Sequence, residues 1–214
     1  MPSNPVLPQA CRSHVQALLD RGTARVVLGL VGPPGAGKST LASALQSAFA
    51  DISVVLPMDG YHLANSELKR LGRAGRKGAP DTFDSAGYLA LLRRLREPAT
   101  RVVYAPEFRR EIEEAIAGAI AIEPQHRLVI TEGNYLLVDQ GAWAGVRSLL
   151  DEAWYVEVDD HLRNERLTSR HEVFGRSAED ARQWVAQTDE PNARLVASTR
   201  ARAHHVFSWD EGLA

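Results

Sequence analysis

The stretch Gly32-Pro33-Pro34-Gly35-Ala36-Gly37-Lys38-Ser39-Thr40 constrains this chain more than any other. It satisfies G-x-x-x-x-G-K-[ST], the pattern of a phosphate-binding loop. Apolar Val26, Val27, Leu28, Leu30 and Val31 precede it and read as a buried strand. Leu41, Ala44, Leu45 and Ala48 follow at helical spacing. The motif therefore sits where its mechanism needs it, between a parallel strand and a helix N-terminus. Glycines let backbone N–H groups turn inward on phosphate oxygens, and the helix dipole adds positive potential there. Lys38 is expected to reach the β- and γ-phosphates of ATP, and the Ser39 hydroxyl to help hold Mg²⁺.

A strand–loop–helix unit of this kind needs further parallel strands, and the chain supplies them. Ile52 to Leu56, Leu128 to Thr131 and Ala153 to Val158 are apolar runs. In open parallel sheets ligands bind beyond the C-terminal strand ends. The residues just past those ends are therefore the candidate site. After the second strand comes Asp59, within Pro57-Met58-Asp59-Gly60-Tyr61-His62. A carboxylate there can take the proton of an attacking hydroxyl, or it can cap a helix or back a Mg²⁺ ligand. After the third comes Glu132, an acid placed to bind Mg²⁺ directly or through water, or to cap the turn.

Between these strands the polar segment 63–85, rich in Gly and Arg, is too long for a plain connection and reads as an acceptor-side excursion. Ala86 to Arg96 is amphipathic. Val102 to Tyr104 is a short strand, and 111–119 fits a helix or a hairpin strand equally. Trp143 to Leu150 reads as a helix. So does Asp159 to Arg170, where Arg163, Arg166 and Arg170 project to one side. That side is either a solvated face or, over about 159–180, a lid that closes on phosphates. Ala178 to Gln187 is helical, Asp189-Glu190-Pro191 a turn, Asn192 to Arg202 the last helix, and Val206-Phe207 an edge strand. At the other end, residues 1–22 read as a loose arm and a helix from Pro8 to Asp20 that covers the sheet edge.

The bulk properties add limits. The 214 residues, 44% hydrophobic and 24% charged, suit one soluble α/β domain. A net charge of −2 gives no global footprint for nucleic acid or anionic membrane. One cysteine, Cys11, implies a reducing cytoplasm. No signal-like start and no membrane-length apolar run are present.

The loop, the Asp59-Gly60-Tyr61 turn, the Glu132-Gly133 strand end and the arginine helix together resemble the uridine kinase, phosphoribulokinase and bacterial pantothenate kinase superfamily. Met58-Asp59-Gly60-Tyr61 and Arg76-Lys77-Gly78-Ala79-Pro80-Asp81-Thr82-Phe83-Asp84 look more like pantothenate kinase. Glu132 to Leu137 and Asp189-Glu190-Pro191-Asn192-Ala193 look like a compact bacterial group labelled nucleoside/nucleotide or fructose-transport kinases. The resemblance implies an α/β P-loop NTPase sandwich of three layers with a mostly parallel sheet and a small arginine-bearing lid. It implies Asp59 as catalytic aspartate, Tyr104 as acceptor-site lining, and Arg109 or Arg110 as a substrate-side basic residue. Asn192, Arg194 and 202–205 become candidates for adenine contact, and a homodimer is implied, since such kinases often pair.

The expected function is then an ATP- and Mg²⁺-dependent kinase that phosphorylates an alcohol of a small metabolite such as a sugar, a nucleoside or a pantothenate-like acid. Its acceptor pocket would be lined by Tyr61, His62, Phe83, Tyr104 and Phe108, with Lys77, Asp81, Asp84 and Arg109 reading polar groups. A nucleotide-dependent switch or assembly factor is the alternative of another class. The guanine-reading Asn-Lys-x-Asp and the transporter Leu-Ser-Gly-Gly strings are absent. A nucleoside monophosphate kinase would need no base, which Asp59 argues against.

Overall fold

The computed structural model describes residues 6–213, so the first five residues of the expected N-terminal arm lie outside the described residues. The chain runs α1 (Gln9–Asp20), β1 (Val26–Val31), α2 (Lys38–Ala48), β2 (Ser53–Pro57), α3 (Asn65–Arg70), α4 (Ser85–Leu95), β3 (Val103–Arg109), β4 (Glu114–Ile122), β5 (Leu128–Gly133), β6 (Glu152–Val156), α5 (Asp160–Val173), α6 (Ala178–Trp184), α7 (Glu190–Ala197), β7 (His205–Ser208) and β8 (Gly212–Leu213). The main sheet has the order β2-β5-β1-β6-β7-β8. Its first five strands are parallel, and only β8 runs antiparallel, against β7.

β1 and β5 are apolar almost throughout because both sheet faces are covered. Val27, Val31 and Val129 point to a core shared with Tyr88, Leu92 and Trp143. The alternate residues Leu28, Leu30 and Ile130 point to a second core with Val15, Leu18, Leu41 and Leu45. The result is a three-layer α/β sandwich. Among the described residues no helix is long and apolar enough to cross a membrane.

Register then decides what meets at the strand ends. Val31 lies opposite Gly133, and Glu132 lies opposite both Leu30 and Pro57. The phosphate-binding loop, Glu132 and the 3₁₀ turn Met58–Tyr61 that carries Asp59 therefore emerge side by side.

Elsewhere the structure departs from the sequence reading. β3 and β4 form a separate antiparallel hairpin, so 103–109 is no part of the main sheet and the ambiguous 111–119 is turn and strand. Pairing of Val103 with Ile122 and of Tyr104 with Ala121 overrides the helical composition. The hairpin rests on the Asp59 turn so closely that a Cβ at Gly60 would lie 2.3 Å from the Pro106 carbonyl oxygen. The expected helix 143–150 is two 3₁₀ turns, Gly141–Gly145 and Arg147–Leu149. The expected turn at 189–191 is absorbed into a helical run from α6 through the π-turn Val185–Asp189 to α7. Pro191, which has no N–H to give, stands at the start of α7 directly after the π-turn, where the regular i→i−4 ladder is already interrupted. The edge position expected for Val206-Phe207 belongs to β8, beyond β7.

Candidate active site

The phosphate-binding loop closes on α2 with Gly37 as N-cap at φ 91°, a left-handed conformation that favours glycine. A Cβ there would project toward the cleft, its nearest neighbour being Trp209 Nε1 at 3.6 Å. Lys38 is buried, and its Nζ donates to Gly32 O at 2.9 Å, Pro33 O at 3.1 Å and Asn134 Oδ1 at 2.7 Å. Burial pushes the Lys38 ammonium down to about 8, against the pull of Glu132 and Asp59. Ser39 Oγ donates to Glu132 Oε1 at 3.1 Å. Burial, with Asp59 adding to it, raises the Glu132 carboxyl above the usual carboxylate range.

Asp59 faces the same space. Its backbone oxygen accepts from His62 N at 3.1 Å and lies 2.8 Å from His62 Nδ1. Its side chain meets Arg110 Nη2 at 3.4 Å. His62 is wedged between the Phe83 and Phe108 rings, at centroid distances of 4.0 and 4.7 Å. Burial holds its imidazole below the ordinary range. Lys77 lies 5.0 Å over the Phe108 ring and is committed to the hairpin through Asn65 Oδ1 at 2.8 Å and Glu113 O at 2.5 Å.

These groups line one cleft of about 1470 Å³. Of the predicted residues, Pro34, Gly35, Gly37, Lys38, Ser39, Thr40, Asp59, His62, Lys77, Phe83, Phe108, Arg110, Glu132, Arg166, Arg170 and Asn192 reach it. Asn192 does so beside Gly78, whose carbonyl oxygen lies 3.5 Å from its Nδ2. Gly32, Pro33 and Ala36 shape the loop without lining the cleft; Pro33 instead borders a smaller cavity of about 230 Å³.

Other predicted residues are elsewhere. Arg163 is buried against Asp160 and Glu190, beside the smaller cavity. It shares a helical face with Arg170, but seven residues of helix separate them by about 10 Å along the axis. Tyr61 packs edge-on against Tyr88 at 5.2 Å. Asp81 binds Arg76 at 2.6 Å and Arg73 at 3.4 Å, which braces the excursion. Asp84 is the N-cap of α4 and accepts from Gly87 N. Tyr104 is 60% exposed on the hairpin. Arg109 pairs with Glu107 at 2.7 Å. Period-two alternation explains the hairpin: Phe108 and Arg110 turn to the cleft, while Glu107 and Arg109 turn away. Arg194 borders the smaller cavity, and Arg202 pairs with Asp139.

The sequence reading missed Asn134, His171, Asp189 and Trp209 as cleft residues. Asn134 follows Glu132 by two and carried a signal, since it lies just past a strand end. His171 and Asp189, 2.8 Å apart, and Trp209, just past β7, are joined to the cleft only by tertiary packing.

The residues fit a Mg²⁺–nucleotide complex. Ser39 Oγ and Glu132 are hard oxygen donors already in contact, and a divalent cation beside them would relieve the crowding of two carboxylates. Lys38, Arg166 and Arg170 supply positive charge for phosphates.

No protein-family model matches the chain. It is 34% identical over 183 residues to a Schizosaccharomyces pombe protein provisionally named a uridine kinase, covering 80% of this chain and 78% of that one. It is 35% identical over 160 residues to an ATP-dependent kinase-like protein of Aspergillus versicolor, covering 72% and 82%. A solved Silicibacter structure, provisionally described as a fructose transport system kinase, matches with a TM-score of 0.82 at 35% identity, covering 92% of this chain and 98% of its own. Kinases of this fold generally use ATP with Mg²⁺. This chain belongs to the uridine kinase-like family of P-loop kinases, phosphotransferases that act on an alcohol.

Proposed function

We propose that this kinase transfers the γ-phosphoryl group of Mg-ATP to a hydroxyl of a small polar metabolite, with Asp59 as general base. The observation that carries the reading is the convergence of Asp59 from a 3₁₀ turn, Lys38 from the start of α2 and Glu132 from the end of β5 on one cleft. When bound, Mg-ATP supplies the phosphoryl group and the cation that offsets its charge. Lys38, released from Gly32, Pro33 and Asn134, is within the loop's reach of phosphate oxygens. Glu132 and Ser39 hold the cation. Asp59 accepts the acceptor's hydroxyl proton on a carboxylate oxygen, while Arg110, 3.4 Å away, helps aim that carboxylate into the cleft. Arg166 and Arg170, from α5, face the phosphates and exclude water from them. Thr40 would meet phosphate with the rest of its loop, and Trp209, beside Gly37, is a candidate for contact with the nucleotide.

On the acceptor side, the rings of His62, Phe83 and Phe108 line one wall, with His62 tilted 41° to Phe83 and 40° to Phe108, and Arg110 is the cation paired with Asp59. With Lys77 bound to the hairpin, Arg110 is the cation left on this wall to meet a carboxylate or phosphate, which favours an alcohol that carries one over an uncharged alcohol. The test is ADP release with Mg-ATP across sugars, sugar phosphates, nucleosides, pantothenate and glycerate. The expected result is one strong responder whose turnover falls by roughly 10²–10⁴-fold in Asp59→Asn, with ATP binding kept. Near-normal turnover in that variant would remove Asp59 from the role.

A further inference from the structure

Away from the cleft, three ligand-type side chains meet where α1 crosses the sheet. Glu152 and His205 are the first residues of β6 and β7, and His14 comes from the middle of α1. None of them lines the cleft. His14 Nε2 lies 2.8 Å from Glu152 Oε2, and His205 Nε2 lies 3.7 Å from the same oxygen. The three ligand atoms all fall within 4.8 Å of one another. Bond lengths of about 2.0–2.1 Å in a tetrahedral zinc site put neighbouring ligand atoms about 3.3 Å apart. The two observed contacts bracket that spacing, so an ion would need only small side-chain shifts.

The surroundings suit an ion as well. Trp154 Nε1 donates to Glu152 Oε2 at 3.0 Å and orients the carboxylate. Arg21 Nη2 stands 3.6 Å from the other oxygen, Oε1, and competes with an ion there; its side chain is 61% exposed and can swing into water. Glu152 is buried, while His14 and His205 are each about 30% exposed (29% and 30%), which gives an ion a way in. The His14 and His205 rings meet edge to face, with centroids 4.6 Å apart. Two imidazoles and one carboxylate prefer Zn²⁺ and its neighbours to Mg²⁺.

We propose that His14, Glu152 and His205 form a binding site for a divalent transition metal ion of the zinc class, which fastens α1 to β6 and β7. The site is separate from the nucleotide's Mg²⁺, and its existence does not depend on the proposed reaction. The bland competitor is a hydrogen-bonded carboxylate–histidine cluster that pins α1 without metal.

The experiment uses the full chain stripped with chelator, then titrated with Zn²⁺ by calorimetry in excess Mg-ADP, and with Co²⁺ by visible absorption. The expected result is one Zn²⁺ per chain, four- or five-coordinate Co²⁺ bands, and a higher melting temperature with Zn²⁺. His14→Gln and His205→Gln should each weaken binding by roughly tenfold or more, as expected for loss of one of three ligands. Each variant is checked for folding by circular dichroism and read below its melting point. Should His14→Gln fail to fold, His205→Gln, which keeps the His14–Glu152 bond, decides. Absence of Zn²⁺ binding, or binding unchanged in the folded histidine variants, overturns the proposal. So does binding lost in Glu132→Gln but kept in the histidine variants, because the ion would then sit in the cleft.

Discussion

Arg110 holds a guanidinium nitrogen 3.4 Å from Asp59 Oδ2, although 51 residues separate the two in sequence. The contact exists because Gly60 lets the β3–β4 hairpin settle onto the Asp59 turn. Both partners are partly exposed, so the pair contributes at most about 1 kcal/mol to stability. Its weight should be catalytic. Arg110→Ala is expected to leave the melting temperature nearly unchanged and lower kcat/KM by roughly 10²-fold, the scale of losing one preorganised charge. Arg109→Ala, one residue away and paired with Glu107, should leave both unaltered. Steady-state kinetics and melts on the two variants decide it.

Lys38 makes nucleotide binding pH-dependent. Its folded value is lowered from 10.5 to about 8 by burial. Between those values the unfolded chain keeps a proton that the folded chain has released, so stability rises with pH across that window. The cost of burying the ammonium is fully present below about pH 8. Polyphosphate favours the charged form, so ATP binding near pH 8–9 should take up a proton, and affinity should fall above pH 8. Calorimetry in two buffers of different ionisation heat reads this uptake, which Lys38→Met should abolish.

Glu132 carries the opposite signature. Its carboxyl is raised by burial and by Asp59, so its contribution to stability is present below the ordinary carboxylate value and lost as pH rises from there through the raised folded one. Glu132→Gln keeps an acceptor for Ser39 Oγ and removes the buried charge. The variant without nucleotide should melt about 2–4 °C higher at neutral pH, the shift that about 1 kcal/mol gives in a chain of this size. Its half-maximal Mg²⁺ for turnover should rise by roughly tenfold or more. A variant that loses stability while keeping its Mg²⁺ requirement would refute both the burial cost and the cation role.

Arg163 and Arg170 divide structure from chemistry on one helix. Arg163 is 1% exposed and bridges Asp160 and Glu190. Arg163→Ala removes the partner of the partly buried Glu190 carboxylate and should cost about 1–3 kcal/mol. Arg170→Ala, on the cleft, should cost little stability and sharply reduce turnover. Denaturant melts and kinetics on the pair separate the two roles.

The sequence by itself determined the parts that local chemistry specifies. The phosphate-binding loop was legible because glycine freedom, a lysine and a hydroxyl must sit at fixed spacing between a strand and a helix. Asp59 and Glu132 were legible because apolar runs end just before them, and ligands gather at the ends of parallel strands. Tertiary structure alone decided the rest. Residues 103–122 leave the sheet because two segments pair with each other, a long-range choice that composition does not encode. That pairing aims Arg110 at Asp59 and turns its neighbour Arg109 away, and a register shift between Ala105 and Glu107 separates Tyr104 from the face of Phe108. Asp84 and Asp81 are spent on a helix cap and a loop brace, and Arg163 on a buried ion pair. Trp209 reaches Gly37, and His14 reaches Glu152 and His205, only because β6 and β7 lie side by side beneath α1. Spacing along the chain fixes which chemistry a segment can carry; packing across the sheet fixes which of those groups meet.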